Sequence, residues 1–148
     1  SLPEKLPAKM ADLGAGWGYL AGPVLARKGL QSLDLIEAEA LSLDCARLNV
    51  TDPRVKFHWA DAMQFQSKPG FDGVVMNPPF HTGRASEPHL GRAFIAAAAR
   101  VLASHGKLWM VANRHLPYEQ ALRDSFRNVE EIAGNGAFKV FHATRPNR

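Results

Sequence analysis

Residues 9–18 read KMADLGAGWG, a short apolar run followed by a turn with glycine at every second position. The apolar run predicts a buried strand. The glycines predict a tight turn, since glycine adopts backbone conformations that other residues disfavour. Residues 19–28 then have the apolar spacing of a helix. A strand, a glycine turn and a helix in this order place backbone close to a ligand and point the unpaired N–H groups of the helix start towards it.

Strands and helices alternate along the rest of the chain. The predicted strands cover residues 32–36, 55–59, 71–76 and 107–112, and the predicted helices cover residues 38–49, 87–103 and 118–126. Two closing strands, residues 129–132 and 138–144, flank Gly134-Asn135-Gly136, which favours a tight hairpin. We therefore predict one α/β domain over residues 1–148. It is a doubly wound, mostly parallel, seven-stranded sheet with helices on both faces and a C-terminal antiparallel hairpin.

The same patterns predict parts of the core. Leu41, Cys45 and Leu48 share one side of the second helix, and we expect that side to be buried. Trp59 and Trp109 lie inside strand patterns and are expected in the core. For Trp17 the sequence leaves two interpretations: it packs under the first helix or shields a ligand.

Polar side chains follow the first four predicted strands. They are Asp12 with Gly14, then Glu37, Asp61 and Asn77. In sheets of this kind, ligands bind at the carboxyl ends of the strands near the point where the strand order reverses. Glu37 lies 19 residues beyond Gly18, a spacing that suits an acid binding ribose hydroxyls. The alternative is a surface carboxylate at a helix start.

The fourth predicted strand ends in Asn77-Pro78-Pro79-Phe80. Proline fixes φ, and the residue before each proline is pushed out of the helical region. The Asn77 side-chain oxygen and the Pro78 carbonyl can therefore face one target, with Phe80 as a flat apolar wall. The arrangement suits an exocyclic amine on a planar ring.

Composition limits the partners. Residues 1–76 hold 8 Lys/Arg against 9 Asp/Glu, and residues 77–148 hold 10 against 5, within a net charge of +4. This basic excess predicts a polyanionic partner such as nucleic acid, or is an ordinary solvated face. A lone cysteine, Cys45, excludes an internal disulfide and favours the cytoplasm. The six histidines show no metal-ligand spacing, so we predict no metal. The longest apolar stretch, residues 93–102, is too short to span a bilayer.

These motifs resemble those of a known family. Asp12-x-Gly14-x-Gly16-x-Gly18 resembles motif I of the class I S-adenosylmethionine-dependent methyltransferases, and residues 77–80 resemble motif IV of the amino methyltransferases. The longer segments 77–83, 111–118 and 138–140 resemble the small-subunit (16S) ribosomal RNA guanine-N2 methyltransferases, near their C subgroup. The likeness extends from Asp12 to Thr144.

The resemblance implies a role for each motif. The cofactor S-adenosylmethionine, with S-adenosylhomocysteine as product, would contact Asp12, Gly14, Gly16, Gly18, Glu37, Ala38, Asp61, Ala62 and Asn77. The methyl-accepting amine would be held by the catalytic group Asn77, Pro78, Pro79 and Phe80. RNA phosphate contacts are assigned to His81, Arg84, Arg114 and Lys139, each of which can also be an ordinary surface residue.

The resemblance also implies the setting of the reaction. The substrate would be the N2 amine of a guanine in ribosomal RNA, naked or within the small subunit. The chain would be a monomer and the C-terminal catalytic half of a longer protein whose first half is a degenerate methyltransferase-like domain. Two alternatives stay open: methylation of adenine N6 or of a protein glutamine, and a non-catalytic module that docks on RNA or protein.

Overall fold

The structure is a computed structural model that describes residues 2–79, 81–82, 85–86 and 88–148. The elements of the first half are β1 (Lys9–Leu13), α1 (Ala21–Leu25), β2 (Ser32–Glu37), α2 (Ala40–Asn49), β3 (Val55–Trp59) and β4 (Phe71–Met76). Those of the second half are β5 (His81–Thr82), β6 (Ala85–Ser86), α3 (Pro88–Val101), β7 (Leu102–Asn113), α4 (Glu119–Ser125), β8 (Phe126–Gly134) and β9 (Phe138–Pro146).

Seven of the described strands form one sheet in the order β3-β2-β1-β4-β7-β9-β8, while β5 and β6 pair separately. The first five strands of this order are parallel; β9 runs antiparallel to both β7 and β8. The predicted doubly wound sheet with an antiparallel C-terminal hairpin is confirmed. The strand order reverses between β1 and β4, which is where ligands bind in such sheets.

Two apolar clusters cover the two faces of the sheet. Successive residues of a strand point to opposite faces, so Val74 belongs to the cluster under α3 and α4, and Val75 to the cluster under α1 and α2. Trp109 is buried in the second cluster, as predicted.

The buried side of α2 differs from the predicted one. Leu41 and Leu48 are 75% and 82% exposed, and Cys45 is exposed too, so the prediction that these three residues face the core was wrong. The helix instead buries Leu43 and Ala46. The reason is a close approach that periodicity does not reveal: a Cβ added at Gly18 would lie 2.9 Å from Val50 Cγ2 and 3.5 Å from Ala46 Cβ. The helix therefore turns the small side chain of Ala46 towards the glycine turn.

Trp59 is also outside the core, which corrects the prediction. It is 70% exposed, and its indole N–H donates to the Ala38 carbonyl at 2.9 Å. Strand β3 is the edge of the sheet, and Trp59 is its last residue, so little of the fold is available to cover the ring.

Helix α1 is shorter than the predicted span of residues 19–28. After Leu25 the chain leaves the helix, because the Lys28 N–H donates to the Glu4 carbonyl and the Leu6 N–H donates to the Lys28 carbonyl. These long-range backbone bonds replace the helical ones that the sequence pattern favours.

The packing of α3 against the start of α4 depends on a close contact between Gly91 and Tyr118. A Cβ at this position would overlap the Tyr118 ring and hydroxyl, and both residues are buried. Gly22 of α1 has open space where its Cβ would be.

We expect Gly91→Ala to lower the free energy of unfolding by about 1–3 kcal/mol, because the core must shift to admit a methyl group. The matched control Gly22→Ala should raise it by about 0.5–1 kcal/mol, since alanine favours the helix and meets no neighbour. Urea unfolding of both variants measures the difference. Equal changes in the free energy of unfolding for the two variants would show that the Tyr118 ring moves aside without destabilising the core.

Candidate active site

A cleft of about 510 Å³ lies at the carboxyl ends of β1, β2 and β4. Leu13 pairs with both Ile36 and Met76, so the residues that follow these three strand positions meet at one edge of the sheet. The cleft is lined by Gly14, Gly16, Tyr19, Ile36, Glu37, Ala38, Glu39, Ser42, Asp61, Ala62, Met63, Asn77, Pro79, Leu90 and Phe94. The structure thus brings together the side chains predicted at the ends of four separate strands.

The glycine turn is fixed to the end of β2. The Gly14 and Ala15 N–H groups both donate to the Ile36 carbonyl, at 2.9 and 3.0 Å. Gly14, Gly16 and Gly18 have φ angles of 68°, 59° and 92°, a region that favours glycine.

The three glycines have different neighbours. A Cβ at Gly14 would lie 2.9 Å from the Phe94 ring, and one at Gly18 would lie 2.9 Å from Val50, so these positions are needed for packing. At Gly16 the nearest atom is 3.7 Å away, in the Tyr19 ring. Gly16 is therefore the glycine whose missing side chain leaves space for a ligand, whereas Gly18 does not line the cleft.

Glu37 joins the glycine turn to the start of α2. Its Oε1 accepts the Gly16 N–H and its Oε2 accepts the Glu39 N–H, each at 2.8 Å. A carboxylate has about four acceptor sites, so both oxygens can take further bonds from a ligand in the cleft. The two backbone donors hold the side chain in one orientation.

Asp61 and Ala62 form the third side of the cleft. Asp61 Oδ1 accepts the Met63 N–H at 3.0 Å, which closes a turn directly after β3. Ala62 is buried against the core, so the turn is anchored at its centre. The Asp61 side chain is held at the cleft wall as an acceptor.

Asp12 is the most unusual group near the site. It is fully buried inside β1, and neither carboxyl oxygen has a hydrogen-bond partner within the described part of the chain. Burial, and then the charge of Glu37, raise the pKa of Asp12 well above its usual range. Because a buried polar group without a partner is costly, such a group is typical of a ligand site.

Tyr19 lines the cleft between the glycine turn and Asn77, a role that the sequence analysis did not predict. Burial raises the pKa of the Tyr19 hydroxyl; the nearby Asn77 side chain lowers it in part, and the charge of Asp12 raises it further. The position of Tyr19 directly after Gly18 was the sequence signal that could have predicted its place in the cleft. Trp17 is 55% exposed, with its ring centroid 5.2 Å from that of Tyr19, so it does not pack under α1.

The predicted amine clamp is described in part. Asn77 and Pro79 line the cleft and Pro78 is buried beside them, whereas Phe80 lies outside the described residues. Asn77 is therefore the cleft residue from which the chain continues towards β5 and α3.

The predicted phosphate contacts have other partners where they are described. Arg114 pairs with Glu131 at 3.1 Å, and Lys139 is buried and pairs with Glu119 at 2.9 Å. His81 lies in β5, and Arg84 is outside the described residues. Of the predicted contacts whose side chains the structure describes, neither Arg114 nor Lys139 lines the cleft.

Among the residues that the structure describes, no cluster of three or more His, Cys, Asp or Glu side chains has the geometry to hold a metal ion. No helix in that part of the chain is long and apolar enough to cross a membrane.

Residues 1–142 match the model of the methyltransferase small domain family. A ribosomal RNA large subunit methyltransferase G from Aeromonas hydrophila shares 32% sequence identity with the chain in an alignment that covers 98% of it. A ribosomal RNA small subunit methyltransferase C from Shewanella oneidensis also shares 32% identity, in an alignment that covers 93% of the chain. The chain spans 40% of the length of each of these relatives.

Solved structures have the same architecture. A T. thermophilus 16S rRNA N2 methyltransferase, RsmC, in complex with AdoMet and guanosine, superposes with a TM-score of 0.76 and 28% identity. The match covers 97% of this chain and 39% of that one.

The residues of the cleft fit S-adenosylmethionine. Three acidic residues line the cleft, Glu37, Glu39 and Asp61, and their carboxylates can accept bonds from hydroxyl and amine groups. Gly16 leaves open space above the turn, and the unpartnered Asp12 nearby suits a cationic group. The chain therefore belongs to the methyltransferase small domain family and has the class I S-adenosylmethionine-dependent methyltransferase fold.

Proposed function

We propose that this chain methylates the exocyclic N2 amine of a guanine in small-subunit ribosomal RNA. The observation that supports it best is the position of Asn77, Pro78 and Pro79 at the edge of a cleft whose residues fit S-adenosylmethionine. The ribosomal RNA methyltransferases among the relatives favour an RNA substrate, and the guanosine in the T. thermophilus complex favours the base. We also propose that the chain is the catalytic half of a longer cytoplasmic protein.

The cofactor residues divide the work by chemistry. We assign the ribose hydroxyls to Glu37, the adenine amine to Asp61 and the cationic methionine end to the region of Asp12. When bound, S-adenosylmethionine supplies an electrophilic methyl group attached to a positively charged sulfur. Glu37 and Asp61 are already oriented by backbone N–H groups, so little reorganisation is needed on binding.

Asn77 orients the target amine. The guanine N2 lone pair is delocalised into the ring, so the amine is a poor nucleophile until acceptors fix its two N–H groups. The Asn77 Oδ1 and the Pro78 carbonyl supply those acceptors and stabilise the positive charge that develops on nitrogen. The Asn77 side chain lies beside the Tyr19 hydroxyl, where it partly offsets the rise in the Tyr19 pKa that burial causes.

The target base must leave its stack to reach this cleft, since the exocyclic amine of a paired guanine is not accessible to the reacting atoms. We assign the stacking surface for the flipped base to Phe80.

We expect Asn77→Ala to lower kcat by about 10²–10³-fold, the usual effect of removing one positioned hydrogen-bonding group from a site of developing charge. Affinity for S-adenosylmethionine should stay within a few-fold of the original. Transfer of labelled methyl groups to naked ribosomal RNA and to assembled subunits, followed by mapping of the modified base, measures the activity. Asn147→Ala, which changes an exposed amide of the C-terminus, is the control.

Near-normal turnover by Asn77→Ala would contradict the proposed amine clamp. Modification of a large-subunit guanine would move the substrate to the other subunit, and modification of an adenine N6 or a glutamine would replace guanine. If the original chain did not bind S-adenosylmethionine in a calorimetric titration, the alternative of a non-catalytic module that docks on RNA or protein would replace the proposed activity.

Asp12→Asn should separate stability from function. The raised pKa means that folded Asp12 keeps its proton at pH values where the unfolded chain has lost it. Its contribution to stability is thus fully present below the ordinary pKa of 3.8 and is lost as the pH rises through the folded pKa. Asn is neutral throughout, so the melting temperature of the cofactor-free variant should exceed the original at pH 8 by more than at pH 5.

The same variant should bind S-adenosylmethionine about tenfold more weakly, because the Asn oxygen still accepts a hydrogen bond but cannot become negatively charged beside the cationic end of the cofactor. Calorimetric titration at pH 8 measures the affinity. Asp44→Asn, which changes an exposed carboxylate of α2, should leave both quantities nearly unchanged. Unchanged affinity in Asp12→Asn would show that Asp12 has only a structural role.

A further inference from the structure

Among the residues that the structure describes, no Lys or Arg of the second half of the chain lines the cofactor cleft. Arg114 and Lys139 are paired with carboxylates, and Arg100 donates to the carbonyls of Met63 and Phe65. Other Lys and Arg side chains of the second half have no such partner among the described residues, and these lie away from the cleft.

Three of them line a groove of about 770 Å³ at the opposite end of the sheet from the cleft. Lys107 lies in β7, Arg127 in β8 and Arg145 in β9, near the position where Lys107 pairs with Thr144 and Thr144 with Asn128. All three side chains are exposed. Three adjacent strands therefore each contribute one cation to the same groove.

No carboxylate side chain lines this groove, and within the described part of the chain none forms an ion pair with Lys107, Arg127 or Arg145. Two acids lie near it: Asp72 is bonded to the groove residue His105 at 2.8 Å, and Glu130 lines an adjoining pocket together with Arg127 but forms no ion pair with it. Asn128 donates to the Thr144 hydroxyl at 3.2 Å, so neutral polar groups lie between the cations. The groove thus combines uncompensated positive charge with hydrogen-bonding groups.

Arg145 is held in an unusual conformation. Its φ angle is 59°, and among the described residues it alone combines a positive φ with a side chain. This region is unfavourable for arginine, and residues kept in it are concentrated at functional sites. The Arg145 backbone conformation therefore supports a role for this position beyond packing.

We infer that this groove binds the phosphate backbone of RNA at a distance from the methylated base. The inference rests on the proposed function, since it gives the RNA substrate a second point of contact. Lys107 precedes Asn113, the end of β7, by six residues, or about 20 Å of strand.

Salt-dependent binding of the 148-residue chain to a fluorescein-labelled fragment of small-subunit ribosomal RNA tests the inference. The double variant Arg127→Gln/Arg145→Gly removes two of the cations, and glycine is well suited to the left-handed conformation at position 145, so folding should be preserved. We expect its Kd for RNA to rise at least about tenfold near 0.1 M KCl. The slope of log K against log [KCl] should fall by about two.

The control variant Lys56→Gln/Lys68→Gln removes the same number of charges from exposed positions outside the groove. Its RNA affinity and salt slope should stay near those of the original chain. Affinity for S-adenosylmethionine should be unchanged in both variants, because neither touches the cleft.

Three results would overturn the inference: no measurable RNA binding by the original chain, a groove variant that binds like the original, or equal losses in the control variant. Failure of the proposed function has a different outcome. RNA binding would then depend on the groove as expected, while the original chain transferred no methyl group to ribosomal RNA.

Discussion

The attachment of the glycine turn to the end of β2 is the constraint on which the cleft depends. Two N–H groups of the turn donate to the Ile36 carbonyl, and a third, from Gly16, donates to Glu37. These bonds force the chain into left-handed conformations that glycine adopts with least cost. They also orient the Glu37 carboxylate before any ligand arrives. One set of backbone bonds thus shapes the cofactor site and fixes its acidic side chain.

This arrangement carries a cost at Asp12. The residue is buried one strand position before the end of β1, where burial and the nearby charge of Glu37 both disfavour its ionised form. Such a group lowers the stability of the cofactor-free protein at neutral pH. A cation bound beside it would reverse the balance, so the same carboxyl that weakens the fold contributes to binding.

The structure also separates two kinds of basic residue that a charge count treats alike. Two cations of the second half of the chain form ion pairs within the fold: Arg114, which directly follows β7, pairs with Glu131 of β8, and Lys139 of β9 pairs with Glu119 of α4. Lys107, Arg127 and Arg145 have no such task among the described residues. The charge asymmetry of the sequence is therefore partly structural, and the proposed RNA-binding groove uses three of the remaining cations.

The sequence by itself determined the doubly wound, mostly parallel sheet, the glycine turn and the polar residues at the ends of four strands. Buried strands and left-handed turns each require particular residue types at fixed spacing. Only the tertiary structure decided which side of α2 is buried, that Trp59 is exposed, that Tyr19 lines the cleft with Asn77 and that Lys139 is paired. Each of these depends on which surfaces meet across the fold. Apolar spacing within one element is the same whether a neighbouring element covers it or not.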